Sequence, residues 1–196
     1  MHQYLKPSWK TGLLLVLAIA CLAAVNGCLF SPSDKDGDGP PPPPPPGRST
    51  PAELLTSYFK QAYTSRDSIL YADMLDEEYS FYFLLEDADS LRDVLGQDNF
   101  WGRTLELQSA GNLFKSEEVT GITLNISITR TGASNLEECL ECTEVETFVT
   151  LRVETVGDGT EPLTFTVDSP QIFYTRRDPA DSTLWVLWRQ IDRPSA

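Results

Sequence analysis

Ile122-Thr123-Leu124-Asn125-Ile126-Ser127-Ile128-Thr129 alternates aliphatic residues with small polar ones. Successive side chains of an extended strand point to opposite faces, so this stretch predicts a strand with one face buried. The same two-residue period recurs downstream. Val145, Val149, Leu151 and Val153 alternate with Glu146, Thr150, Arg152 and Glu154. Gly157-Asp158-Gly159 is a turn signal, and Leu163, Phe165 and Val167 form the next run. Ile172–Arg176 and Leu184–Ile191 complete the set. Long strands joined by turns predict an antiparallel sheet.

Before Lys115 the period is helical. Thr50-Pro51-Ala52-Glu53 reads as a capping box with proline at the first helical position. Leu54, Leu55, Tyr58, Phe59, Ala62 and Tyr63 then share one helical face. A second short helix is expected with Ile69, Leu70, Met74 and Leu75 as its apolar side. Tyr79–Phe83 reads as an aromatic strand, and residues 84–98 as an acidic, irregular stretch. Asp98 is placed as the cap of a third helix carrying Trp101, Leu105, Leu113 and Phe114. Helices first and strands afterwards predict an α+β domain.

Composition bounds the function. The chain has 29 acidic and 15 basic residues, a net charge of −14. Phosphate backbones are bound by clustered Lys and Arg, so nucleic acid is not an expected partner. The single histidine is His2, which lies in the leader described next. Its loss excludes Ser-His-Asp and Cys-His nucleophiles and His-ligated zinc from the mature chain.

Residues 1–27 have the zones of an export signal: Lys6 and Lys10, an apolar Leu13–Val25 run, then Gly27 before Cys28. The run is too short for a span of about 20 residues. Val25-Asn26-Gly27-Cys28 resembles the lipobox of bacterial lipoproteins, with Asn26 an unusual filler. That resemblance implies an acylated Cys28 and attachment to the cell envelope. Leu29 in place of Asp implies the outer membrane. Plain secretion is the second reading, and Cys21 is a rival acylation site. Removing Lys6 and Lys10 leaves 13 − 29 = −16. Residues 28–49 read as a linker. Pro40–Pro46 is a polyproline spacer of roughly 20 Å. Asp34, Asp36, Asp38 and Gly39 match half of a calcium loop, but Pro45 stands where the bidentate Glu belongs. No metal or cofactor is expected.

Residues 50–196 are then one domain. Its order of elements resembles the nuclear transport factor 2-like superfamily, whose curved sheet wraps a helix into a cone. The resemblance rests on Ala62-Tyr63-Thr64-Ser65-Arg66-Asp67, on Tyr71–Leu75, on Tyr79-Ser80-Phe81-Tyr82-Phe83, and on Leu184-Trp185-Val186-Leu187-Trp188 with Asp192. It implies N-terminal helices packed on a curved antiparallel sheet. The family holds polyketide cyclases, ketosteroid isomerases and dehydratases alongside non-enzymatic binding domains, so fold alone does not fix function.

No isomerase motif matches residue by residue. The groups available to a cone pocket are Tyr63, Tyr71, Tyr82, Trp101 and Trp185, with Glu106, Asp168 and Asp192 as acids. Arg152 and Arg189 are candidates for an anionic ligand. Core packing is the default for the tyrosines, and solvent for Glu106, Arg152 and Arg189. Cys139-Leu140-Glu141-Cys142 has redox spacing, but Glu137, Glu138, Glu141 and Glu144 would raise its thiol pKa. A local disulfide in an oxidising compartment is the expected state. Asn125-Ile126-Ser127 matches a glycosylation triplet without a reason to be used. The sequence thus points to a lipid-anchored, non-enzymatic domain binding a small molecule or protein. A small isomerase or lyase is the alternative.

Overall fold

The computed structural model describes residues 47–90, 93, 98–156 and 163–194. The leader, Cys28, the calcium-like stretch, the polyproline run and the Gly157-Asp158-Gly159 turn lie outside them. Packed structure begins at Arg48, inside the expected linker. Arg48 is buried. Its guanidinium donates to the Asp73 and Trp185 carbonyls and pairs with Asp73 and Asp178 at 3.0 and 3.3 Å.

The first helix opens as its sequence dictates. The Thr50 hydroxyl accepts from the Glu53 amide at 3.1 Å, with Pro51 at the first position. Glu53 reaches back to Ser49 rather than Thr50. The helix runs as α1 (Pro51–Glu53), a wider π-type stretch (Leu54–Phe59) and α2 (Lys60–Thr64). Leu54, Leu55, Tyr58, Phe59 and Ala62 are buried, the face expected. Arg66 then adopts a positive φ of 56°, a conformation that costs a non-glycine residue. Three hydrogen bonds hold it: its guanidinium donates to the carbonyls of Phe114, Ser116 and Val119 at 2.6 to 2.8 Å. Asp67 caps α3 (Ser68–Met74) by accepting from the Ile69 and Leu70 amides. The Arg66-Asp67 pair thus turns the chain and starts a helix. Tyr71 and Met74 face inward, while Ile69 is 77% exposed, contrary to its expected place on the apolar side.

The strands are β1 (Leu75–Tyr82), β2 (Phe100–Gly102), β3 (Val119–Ala133), β4 (Thr143–Thr155), β5 (Leu163–Arg177) and β6 (Trp185–Asp192). They form one sheet in the order β2-β1-β6-β5-β4-β3. Every pairing is antiparallel except β1 with β6, which is parallel. The expectation of a purely antiparallel sheet is corrected there. It failed because β1 and β6 are far apart in sequence and no hairpin constrains them. The runs at 163–167 and 172–176 are one strand. Pro170 does not break it, since pairing of β5 with β6 starts only at Gln171 and proline is tolerated where one side has no ladder.

Two further corrections concern the acidic stretch. Leu85–Ser90 is a short helix, α4. Asp98 does not cap the expected helix: Phe100–Gly102 pairs with Ser80–Tyr82, and the helix α5 (Arg103–Lys115) starts after Gly102 without a side-chain cap. Trp101 is therefore a strand residue. Its indole packs on Phe83 and Phe81 across the pairing, which outweighs the helix signal of Asp98.

The inner face of the sheet carries Tyr79, Ile122, Leu124, Val145, Val149, Val153, Phe173 and Leu187, packed with the helices into the core. On the outer face, the β3–β4 loop folds back. A disulfide joins Cys139 and Cys142, and both cysteines pack with Ile172, Tyr174 and Trp188.

Candidate functional site

The chemistry in the interior centres on Glu106. Its position on α5 follows from spacing: Glu106, Ala110 and Phe114, four residues apart, form the buried stripe. Glu106 is only 7% exposed, which corrects the expectation of a solvated side chain. Its Oε1 accepts from the Tyr71 hydroxyl, and its Oε2 from the Trp101 indole N–H at 2.8 Å. Burial raises its pKa, and those two bonds offset part of the rise.

Aromatic rings close around this carboxylate. Tyr63 lies edge-on to Phe59, Tyr71 and Phe114 at 5.1 to 5.3 Å. Phe59 also meets Phe173 at 5.8 Å. Such edge-to-face contacts add to the area buried. Burial, then the nearby Glu106, raises the hydroxyl pKa of Tyr63, Tyr71 and Tyr79, so all three stay protonated near neutrality.

A second polar thread crosses the sheet from the same place. Tyr79 donates to Gln190 at 3.1 Å, Gln190 to Gln171 at 2.9 Å, and Gln171 to Asp192 at 2.7 Å. Burial pushes the Asp192 carboxyl up to about 7, against the lowering effect of Gln171. The interior therefore holds two carboxyl groups with raised proton affinity, Glu106 and Asp192, set among tyrosine hydroxyls. Such an arrangement can hold protons or accept hydrogen bonds from neutral groups. Among the described residues no group of His, Cys, Asp or Glu is placed to hold a metal ion.

The residues anticipated from sequence divide between the two faces. Tyr63, Tyr71 and Trp101 meet in the interior. Trp185 packs against the edge of that core under the Arg177 guanidinium, 4.4 Å from its ring. Tyr82, Arg152 and Arg189 lie on the outer face. Tyr82 stacks on Phe100 at 5.1 Å. Arg189 sits over Tyr82 and Trp188 and reaches Glu138 at 3.5 Å. Arg152 is exposed and pairs with Glu154 at 3.4 Å. Asp168 is exposed and accepts from Thr150. The participants not anticipated are Tyr79, Gln171 and Gln190. Their signal was inward strand parity, which alone does not tell a core polar residue from an apolar one.

No protein-family model matches the chain, and no curated protein matches its sequence. Solved structures do resemble its fold. A conserved protein from Planctomyces limnophilus aligns at 11% identity over 70% of this chain and 90% of its own, with a TM-score of 0.50. A nuclear transport factor 2-like superfamily protein from Salmonella enterica aligns at 13% identity over 71% and 84%, with a TM-score of 0.44. A ketosteroid isomerase-like protein from Erwinia carotovora atroseptica aligns at 11% identity over 70% and 90%, with a TM-score of 0.43. The domain is a mixed α+β structure on one open six-stranded sheet, and it shares its fold with the Planctomyces protein.

Proposed function

We propose that this chain is a lipid-anchored envelope protein whose domain binds a small molecule or a protein partner and performs no catalysis. In this reading residues 1–27 are removed, Cys28 carries the acyl chains, residues 28–47 form the stand-off, and the domain that begins at Arg48 forms a nuclear transport factor 2-like cone. Outer-membrane attachment follows from Leu29 after the acylated cysteine.

One observation carries the non-catalytic part. Both oxygens of Glu106 are engaged by protein donors, Tyr71 and Trp101, and the surrounding volume is occupied by aromatic rings. A general base must come within hydrogen-bond reach of substrate, and Glu106 is buried, at 7% exposure. Glu106 instead serves as the internal acceptor for two core donors that would otherwise be unpaired.

A screen of the purified chain against apolar ketones, thioesters and hydroxy-acids tests this half. The expected result is no turnover. Turnover abolished by a single carboxylate substitution on the inner face promotes the isomerase or lyase reading. For the anchor, Cys28→Ser should move the protein from membranes to the soluble fraction. Retention in membranes at the original processed mass overturns the lipoprotein reading.

A further inference from the structure

The arginines on the outer face of the sheet are not paired in proportion to their burial. Arg176 donates to Asp76 at 2.7 and 2.8 Å and to Glu78 at 3.0 Å. Arg130, which is exposed, reaches Glu144 and Glu146 at 2.5 and 2.7 Å. Arg189 is more buried than either, with 14% of its side chain exposed, yet it has one long contact, 3.5 Å to Glu138. A buried charge ordinarily needs the better partner. The Tyr82 and Trp188 rings, 4.9 and 4.3 Å from the guanidinium carbon, offset part of the charge. They leave the Arg189 Nε–H without a hydrogen-bond partner among the described residues, and the Trp188 indole N–H beside it likewise. Trp188 is itself buried. The β6 register skips Trp188, so these two consecutive side chains share the outer face. Bulges of this kind re-aim side chains, often next to binding sites. Among the described residues no buried acceptor is left unpaired to meet the two donors.

We propose that Arg189 and Trp188 bind the carboxylate of a small molecule with an apolar body, and that Glu138 stands in for that carboxylate in the free protein. Glu138 puts the same chemical group on the same guanidinium. It is loosely held and 63% exposed, so a ligand displaces it without opening the core. The planar guanidinium edge matches a carboxylate. A dianion such as phosphate is disfavoured, because Glu137, Glu138 and Glu141 crowd the disulfide loop. Phe100 is exposed and stacks on Tyr82 at 5.1 Å. It offers the apolar body a surface to lie on. Glu106 lies on the other side of the sheet, so this site is compatible with a closed interior. The proposal rests on the small-molecule half of the reading above and names its ligand class and its place.

The test is NMR of the full chain carrying Cys28→Ser, titrated with benzoate, acetate, benzyl alcohol and inorganic phosphate. Millimolar benzoate should move the Arg189 Nε–H and Trp188 indole resonances together and saturably, and leave the Trp101 indole in place. Acetate should bind more weakly, and benzyl alcohol and phosphate should move neither resonance. Arg189→Lys keeps the charge but loses the planar fork, and should weaken benzoate about tenfold. Glu138→Gln removes the internal competitor and should tighten benzoate about 2- to 5-fold, which a merely structural Arg189 would not produce. Glu138 is a surface side chain, so this variant reads the site even where Arg189→Lys fails to fold. Arg152→Gln, on the same face, should leave the affinity unchanged. Resonances that stay in place under benzoate overturn the proposal, as does an affinity that Glu138→Gln fails to raise. So does acetate or phosphate binding as tightly as benzoate, or a shift confined to the Trp101 indole. Absence of binding leaves the non-catalytic reading standing, since turnover decides that. A Trp101 shift removes both, since it shows an open interior.

Discussion

Asp192→Asn should make the domain more stable above neutral pH and remove much of its loss of stability on the way there. In the folded chain burial pushes the Asp192 carboxyl from 3.8 up to about 7. Between those values the folded state holds a proton that the unfolded state has released. Stability falls with pH wherever the native state binds more protons, so the contribution is complete below pH 4 and gone above pH 7. A tenfold change in proton affinity is worth about 1.4 kcal/mol, which bounds the effect at about 4 kcal/mol across the window from 3.8 to about 7. Asn keeps an oxygen for the Gln171 amide, now 2.7 Å from the carboxylate. Other acids work in the opposite direction: the Arg130 hydrogen bond holds Glu146 low, and the Thr183 hydroxyl holds Asp181 low. The quantity to read is therefore the difference between wild type and variant. Urea unfolding at intervals from pH 4 to pH 8 gives it. The variant should gain relative to wild type by about 2–4 kcal/mol over that range. Equal slopes in the two proteins would refute the reasoning, because Asp192 would then titrate alike folded and unfolded.

The remaining predictions concern the interior carboxylate and the loop. Glu106→Ala strands the Tyr71 hydroxyl and the Trp101 indole in the core, at about 1–3 kcal/mol for each unpaired donor. Calorimetry should show a fall in melting temperature of about 2–4 °C for each kcal/mol lost, with Glu106→Gln falling less. A melting temperature unchanged in Glu106→Ala would mean that those bonds do not stabilise the fold. Alkylation without reduction should label neither Cys139 nor Cys142, and serine at both positions should cost about 2 kcal/mol. That is modest because the disulfide closes a short loop, with a sequence separation of 3. Full labelling of both thiols in the exported protein would contradict the closed disulfide.

Much of the fold was legible because its signals are local. The Ile122–Ile128 alternation reappears as buried or half-buried aliphatic residues against exposed polar ones. Thr50 and Asp67 cap helices because short oxygen-bearing side chains satisfy free amides wherever a helix begins. Trp101 was misread because Asp98 carries the same local signal, and only the aromatic partners Phe81 and Phe83 decide for the strand. Glu106 was the main miss among the site residues. Charge predicts solvent for a lone glutamate, and the two donors that make its burial tolerable come from α3 and β2, which the sequence does not show converging. The four-residue spacing to Ala110 and Phe114 was the clue, outweighed by the apolar Leu105, which is 37% exposed. Arg189 was a candidate for an inner ligand because its place on the last strand does not by itself fix the face it occupies. The register of β6 skips Trp188 between Leu187 and Arg189, which turns Arg189 to the outer face.

A non-catalytic domain keeps its interior closed around Glu106, and hydrogen exchange of the Trp101 indole N–H measures that closure directly. The bond to the Glu106 carboxylate lies within the core, so its proton should exchange only when the domain opens. It should be among the most protected in the protein, and addition of small apolar ketones should leave its resonance in place. Exchange at the rate of an exposed indole, or a resonance that moves on ligand addition, would show an interior open to solvent and substrate. The non-catalytic reading would then fall.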